Sequence, residues 1–272
     1  MKPPPPPYLD VSDWLKAAWQ RPLLPLVETL TGVRALNRIC LNFAPQNDST
    51  DAFVKVALSD LGISWRLDGG HPPKPDAGRG TLVLANHPTG MIEALILMRL
   101  LDLISPGFWK ILANRWVAGK PEFSPHTIPL DPFAWETEAN LNLRGLRKAA
   151  DILKNGGVVG AFPSGRVAAK IDDLGRAIDE PWSAHLVRLA RRNGAQIFLA
   201  RIPLTPGFLL RAVPLRFPML RSLLLPREAL RRRPGTLRVT LIPAPAHLPD
   251  DPAEAALLLH QLCHESPITT TD

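Results

Sequence analysis

Seven short β-rich runs, at residues 63–67, 81–85, 108–112, 127–130, 158–162, 197–202 and 237–242, alternate with stretches of helical spacing from residue 63 onward. Parallel neighbours need long crossover connections, so this strand–helix rhythm commits the chain to a largely parallel sheet with helices on its faces. Runs such as Thr81-Leu82-Val83-Leu84-Ala85 are apolar at both odd and even positions, as a strand covered on both sides must be. The fold class read from the sequence is therefore α/β: a largely parallel central sheet flanked by helices, with an N-terminal helical appendage.

That appendage is legible in the spacing of Trp14, Leu15, Ala18 and Trp19, then Leu26, Leu30, Val33 and Leu36, broken by Pro22 and Pro25. Two short helices meeting at a proline corner are expected. A further helix at 49–61 has polar starters Ser49 and Asp51 and a stop at Gly62, and another at 136–155 ends at Gly156-Gly157. The last opens at Asp251-Pro252, with Glu254 in its first turn. Three segments result: a disordered Pro-rich tail at 1–10, a helical region at 11–62, and the α/β domain at 63–272.

The net charge of +7 favours anionic partners without choosing among nucleic acid, acidic lipid headgroups and phosphorylated or carrier-bound substrates. Two cysteines, Cys40 and Cys263, make neither a disulfide framework nor a four-ligand zinc site, so a reducing compartment is expected. Residues 3–7 are prolines, so no apolar signal-peptide core follows Met1-Lys2. The longest apolar stretch, 92–104, is interrupted by Glu93, Arg99 and Asp102 and is shorter than the ~20 residues a bilayer requires. No transmembrane helix is expected.

The local signal with most chemical content is the turn after the second run, Asn86-His87-Pro88-Thr89-Gly90-Met91-Ile92-Glu93. Ligands of open α/β sheets collect at the carboxyl ends of strands, where His87 stands. On one continuous helix His87 and Glu93 would point to different faces. Pro88, however, pushes His87 out of helical geometry, and a helix beginning at Thr89-Gly90 lets the imidazole fold back toward Glu93. A histidine oriented by a carboxylate is a general base for a hydroxyl or amine attacking an acyl carbonyl. Spacing alone leaves a second reading open, with His87 as a helix cap and Glu93 as a solvated first-turn carboxylate.

Further blocks follow in order: Lys110-Ile111-Leu112-Ala113-Asn114-Arg115, then Phe162-Pro163-Ser164-Gly165-Arg166, then Ile202-Pro203, with Pro181-Trp182-Ser183 and Val187-Arg188-Leu189-Ala190-Arg191 between. Together with Asn86-His87 and Glu93 they resemble the glycerolipid acyltransferases, in the bacterial branch labelled hemolysin-like or lysophospholipid acyltransferase. The resemblance spans roughly residues 37–243. It implies that residues 63–272 form the acyltransferase domain and that 11–62 face a membrane. It also implies transfer of a fatty acyl group from acyl-coenzyme A or acyl carrier protein to a lysolipid-like or lyso-aminolipid acceptor. His87 is then the base and Glu93 its partner. Asn86, Gly90, Asn114 and Arg115 border the substrate, and the turn of Phe162, Pro163, Ser164, Gly165 and Arg166 binds its polar head. The thioester is a co-substrate; no cofactor or metal is implied. An anionic membrane surface is the expected partner and the cytoplasmic face of the inner membrane the expected location, with no nucleic acid.

The third block departs from the family's Phe-Pro-Glu-Gly or Phe-Pro-Ala-Gly-Glu. Ser164 replaces the acidic or small residue and Arg166 follows Gly165 directly, so the carboxylate contact to the acceptor is missing. Arg166 can instead meet an anionic head bidentately. A catalytically silent lipid-binding protein on the same scaffold is the alternative function.

Other signals are weaker. Ser164 is no nucleophile elbow, because Phe162 occupies the place where that turn needs glycine. Gly156, Gly157 and Gly160 lack the Lys-Ser/Thr of a phosphate loop. His260, Cys263 and His264 lie at helical spacing without a second cluster to complete a metal site, and His71 and His126 have no evident partner. Trp14 and Trp19 suit a core or a membrane surface. Between 201 and 238, arginines including Arg211, Arg216, Arg221 and Arg227 interleave with Phe208, Leu209, Phe217 and Leu220. This pattern reads either as an interfacial segment or as a core helix with a solvated basic face; nucleic-acid binding through it would be strongly salt-dependent.

Overall fold

All seven expected strands form, and they share one sheet. A computed structural model describes residues 9–10, 18–43, 49–72, 74–131, 139–231 and 235–265. The strands are β1 (Ile63–Leu67), β2 (Thr81–Ala85), β3 (Trp109–Asn114), β4 (Thr127–Leu130), β5 (Val158–Ala161), β6 (Lys170–Ile171), β7 (Ala177–Ile178), β8 (Gln196–Arg201) and β9 (Gly235–Pro243). The main sheet runs β1-β9-β8-β2-β5-β3-β4, and β6 and β7, too short to leave a pattern in the sequence, pair separately as a hairpin. Within the main sheet only β8 and β9 pair antiparallel.

After a 3₁₀ segment (Ala18–Leu23) come α1 (Leu24–Thr31), α2 (Val33–Phe43), α3 (Thr50–Asp60), α4 (Ile92–Ile104), α5 (Arg115–Ala118), α6 (Ala139–Lys154), α7 (Ala184–Arg192), α8 (Phe208–Ala212), α9 (Pro218–Leu230) and α10 (Pro252–Glu265). The proline corner lies where expected, with Pro22 in the 3₁₀ segment and Pro25 in the first turn of α1. Ser49 caps α3, its Oγ accepting the Ala52 N–H at 3.2 Å. Residues 3–7, Trp14, Leu15, Trp135 and the first residues of the helix read at 136–155 lie outside the described residues.

Strand β2 shows why the both-faces pattern arises. Val83 and Ala85 belong to a core with Leu36, Phe53, Val54, Ile96 and Leu100 from α2, α3 and α4. Leu82 and Leu84 belong to a second core with Leu153, Val187 and Leu259 from α6, α7 and α10. The described part of the region at 11–62 is thus continuous with one face of the domain, packing α2 and α3 into its core as well as lying before it in sequence. Among the described residues no helix is long and apolar enough to cross a membrane.

Topology then fixes where a site can lie. The connection through α4 leaves β2 toward β3 over the first face, whereas the connection through α7 leaves β5 toward β8 over the second. Right-handed crossovers running in opposite directions must use opposite faces, and between their starting strands the sheet edge opens into a crevice. β2 and β5 are those strands, neighbours in the sheet.

Where β2 enters the sheet the packing is closest. A Cβ on Gly80 would lie 2.1 Å from the carbonyl oxygen of Leu153, at the end of α6. Backbone cannot yield as a flexible side chain can. Gly80→Ala should therefore destabilise the fold by about 1–3 kcal/mol, read as a lowered urea midpoint with the m-value unchanged.

Candidate active site

The strand–turn–helix at 81–93 is built around one buried carboxylate. β2 ends at Ala85, and Asn86 locks its end to β8: the Asn86 amide donates to the Ile202 carbonyl at 3.0 Å and accepts the Ile202 N–H at 2.8 Å. The chain then turns through Pro88, Thr89 and Gly90, the last with φ of 94°. That value suits glycine, and a side chain there would also meet Leu225 of α9 and Val167. The expected helix start at Thr89-Gly90 is corrected: α4 opens at Ile92, after Met91. The delay leaves the N–H groups of Thr89 and Gly90 outside the helix and free to converge on Glu93.

Glu93 is fully buried. Its Oε1 accepts the Thr89 N–H at 2.6 Å, the Gly90 N–H, and Nδ1 of His87 at 3.0 Å; its Oε2 accepts the Thr89 hydroxyl at 2.6 Å. Burial pushes the Glu93 carboxyl up, but the hydrogen bond and charge of His87, with the bonds from Thr89 and Gly90, outweigh it and hold the group below its ordinary value. Glu93 is thus ionised and has no hydrogen to give. His87 must donate from Nδ1, which leaves the lone pair on Nε2.

Phe162 holds the imidazole plane, and two further contacts hold the His87 backbone. The ring stacks on Phe162 with centroids 4.1 Å apart and planes 16° from parallel. The His87 carbonyl accepts the Ala168 N–H at 2.8 Å. Its own N–H reaches both oxygens of Asp179, at 3.0 and 3.1 Å. Only 16% of the side chain is exposed. A histidine with one tautomer, a fixed plane and Nε2 unpartnered among the described residues is arranged to take a proton.

Sequence reasoning did not find Asp179. It is 92 positions from His87 and lies just after the β6–β7 hairpin, so no local spacing could link the two. The nearby Trp182 is the one signal available, because a buried indole needs an acceptor; its Nε1–H donates to Asp179 Oδ2 at 3.1 Å. His260 and His264 surround the same residue. The His264 Nδ1 donates to the His260 carbonyl at 2.8 Å, so its Nε2 accepts the Asp179 N–H at 3.2 Å, while the His260 Nε2 donates to the Asp179 carbonyl at 3.1 Å. Burial, then the neighbouring His264, holds the His260 pKa below its usual value. Among the described residues no three His, Cys, Asp or Glu gather as metal ligands.

The remaining expected site residues line the same sheet edge. Phe162, Pro163, Ser164, Gly165 and Arg166 continue from β5; the Ser164 hydroxyl donates to the Arg166 carbonyl at 2.9 Å, closing the turn and leaving Arg166 exposed. Asn114 ends β3 and Arg115 opens α5, two strands from β2, or about 10 Å away at ordinary strand spacing. The Asn114 side-chain Oδ1 caps α5 by accepting the Trp116 N–H at 2.8 Å, and Arg115 is exposed. His126, expected to stand alone, instead bonds the Trp109 carbonyl at 3.0 Å and stacks on that indole. Both cysteines are buried, and burial raises both thiols, Cys40 to about 12 and Cys263 further.

No protein-family model matches the chain, and no curated protein matches it. Among solved structures, the crystal structure of the 1-acyl-sn-glycerophosphate (LPA) acyltransferase PlsC from Thermotoga maritima is similar over 90% of this chain and 94% of that one, at 14% identity and a TM-score of 0.46.

A carboxylate whose pKa is lowered on folding stabilises the native state above its ordinary value, and the contribution is lost as pH falls through the lowered one. The wild-type protein should accordingly exceed Glu93→Gln in urea midpoint at pH 7, and the gap should narrow as pH falls below about 4.5, the ordinary glutamate value. Equilibrium urea titrations at several pH values measure it.

Proposed function

We propose that this chain is an acyltransferase that moves a fatty acyl group from an acyl thioester, on coenzyme A or acyl carrier protein, to the hydroxyl or amine of a lysolipid-like acceptor. The observation that carries this reading is the His87–Glu93 pair at the switch point of the sheet, with Nδ1 committed to the carboxylate at 3.0 Å. The sequence blocks that resemble glycerolipid acyltransferases supply the reaction class.

The chemistry follows from the geometry. The acceptor O–H or N–H donates to Nε2 of His87. As the acceptor atom attacks the thioester carbon, its proton passes to the imidazole, and the ionised Glu93 stabilises the imidazolium that results. The tetrahedral intermediate collapses by breaking the C–S bond, and the departing sulfur takes the proton back from His87 as a free thiol. No side chain is acylated. Phe162 keeps the imidazole in one plane, and Asp179 fixes the backbone from which it projects.

Thiol release from acyl-coenzyme A and acyl carrier protein thioesters, against a panel of lysolipids and lyso-aminolipids, tests the assignment. His87→Ala, with its circular dichroism unchanged, should lower acceptor-dependent release by about 10²–10⁴-fold. Near-normal release from that variant would refute a base at His87, and no release with any pair would favour a silent lipid-binding scaffold.

The acceptor head is assigned to the turn after β5, where Arg166 takes the place of the family's acidic contact. Arg166→Gln should raise KM for acceptors with an anionic head about tenfold or more while changing kcat little, since a lost charge-assisted pair is worth about 1.5–3 kcal/mol. Steady-state kinetics with anionic and neutral acceptors side by side would show it.

A further inference from the structure

The stretch at 201–238, read from the sequence as interfacial segment or ordinary helix, becomes α8 and α9, and its exposure decides between those readings. Phe208 is 74% exposed and Met219 60%; Leu209, Phe217 and Leu220 are each about half exposed. These side chains sit on α8 and at the start of α9, which pack against each other. An ordinary basic helix turns arginines outward and apolar side chains inward, whereas here Arg221 is buried and the phenylalanines face solvent.

Along the stretch that carries the patch the charge is of one sign. No acidic residue occurs between Glu180 and Glu228. Arg216 lies over the Phe217 ring, 5.0 Å from its centroid. Arg211, at the end of α8, has an Nε without a hydrogen-bond partner, the one such buried side-chain atom among the described residues. Neither arginine has a carboxylate partner among the described residues. Protruding apolar groups beside cations that lack counter-ions match the boundary of an anionic bilayer, where acyl chains lie beneath phosphates.

The hairpin is also fastened to the candidate site. The buried Arg221 guanidinium donates to four carbonyls: Leu210 at 2.6 Å and Val213 at 2.9 Å within the hairpin, then Val167 at 3.0 Å and Ala168 at 2.9 Å in the turn after β5. Ala168 in turn donates to the His87 carbonyl. Leu225 of α9 covers Gly90.

We propose that the α8–α9 hairpin is a docking surface for an anionic lipid bilayer, its apolar tips entering the headgroup layer and Arg211 and Arg216 meeting lipid phosphates. Arg221 holds this surface in fixed relation to His87. The inference rests on exposure and charge and stands whether or not the chain transfers acyl groups.

The full chain should sediment with phosphatidylcholine vesicles containing phosphatidylglycerol and far less with phosphatidylcholine alone. Combined Phe208→Ser, Phe217→Ser and Met219→Ser, all at exposed positions, should lower the partition coefficient tenfold or more with thermal stability unchanged. Arg211→Gln with Arg216→Gln should remove the preference for phosphatidylglycerol, and Arg216→Gln alone should weaken it should the Arg211 change unfold the protein. His87→Ala should bind the same vesicles as the wild type, which separates this test from that of catalysis. Equal binding by the apolar triple variant, or no binding to phosphatidylglycerol vesicles, would overturn the proposal. So would a single-stranded oligonucleotide, an acidic carrier protein or a second copy of the chain occupying the patch in place of lipid.

Discussion

A carboxylate taken wholly out of water must be given hydrogen-bond donors or it takes up a proton. Glu93 meets this condition with donors drawn from its own approach turn: two backbone N–H groups, one hydroxyl and one imidazole. The rest of the site depends on that arrangement. Because the charge is held, the imidazole has one tautomer. Because the turn must aim Thr89 and Gly90 at the carboxylate, α4 starts late and His87 stays outside it. Position 90 lies at positive φ under Leu225, so glycine is the residue that fits both the turn and its lid.

A second buried carboxylate, Asp179, plays the complementary part for the backbone. Glu93 fixes the ring and Asp179 fixes the peptide from which the ring projects, so rotation about the Cα–Cβ bond and displacement of the main chain are opposed by separate groups. They come from opposite faces of the sheet. Glu93 lies on α4, over the first core, and Asp179 is enclosed by Trp182, His260 and His264, beside the second. A crevice at a switch point can draw on both layers in this way, and a site over a single face cannot.

The parts of this structure legible in the sequence were those with a short-range cause. Strands 63–67, 81–85 and 127–130 were marked by their apolar runs and are found at those bounds, and Ser49 marked its own helix. The pairing of His87 with Glu93 could be read because Pro88 restricts the residue before it. What escaped was long-range or too short for a period. The two-residue strands β6 and β7 have no periodicity to detect, Asp179 has no local spacing to His87, and α4 starts later than its sequence predicts because the pull of Glu93 on the preceding N–H groups is a tertiary effect. For the arginine-rich stretch the composition left two readings open, since burial of Arg221 and exposure of Phe208 cannot be told from their letters.

The state of the two cysteines bears on how the chemistry of this protein can be followed. Cys40 and Cys263 are buried in separate cores and their thiols resist ionisation, whereas it is the thiolate that reacts with disulfide dyes and maleimides. The folded chain should therefore react slowly with such reagents, as the time course of a chromogenic disulfide would show. In the proposed thioester assay a chromogenic disulfide would therefore report any liberated thiol with little background from the protein itself, and a single cysteine introduced on the surface becomes a selective attachment point for a fluorophore in the otherwise native sequence.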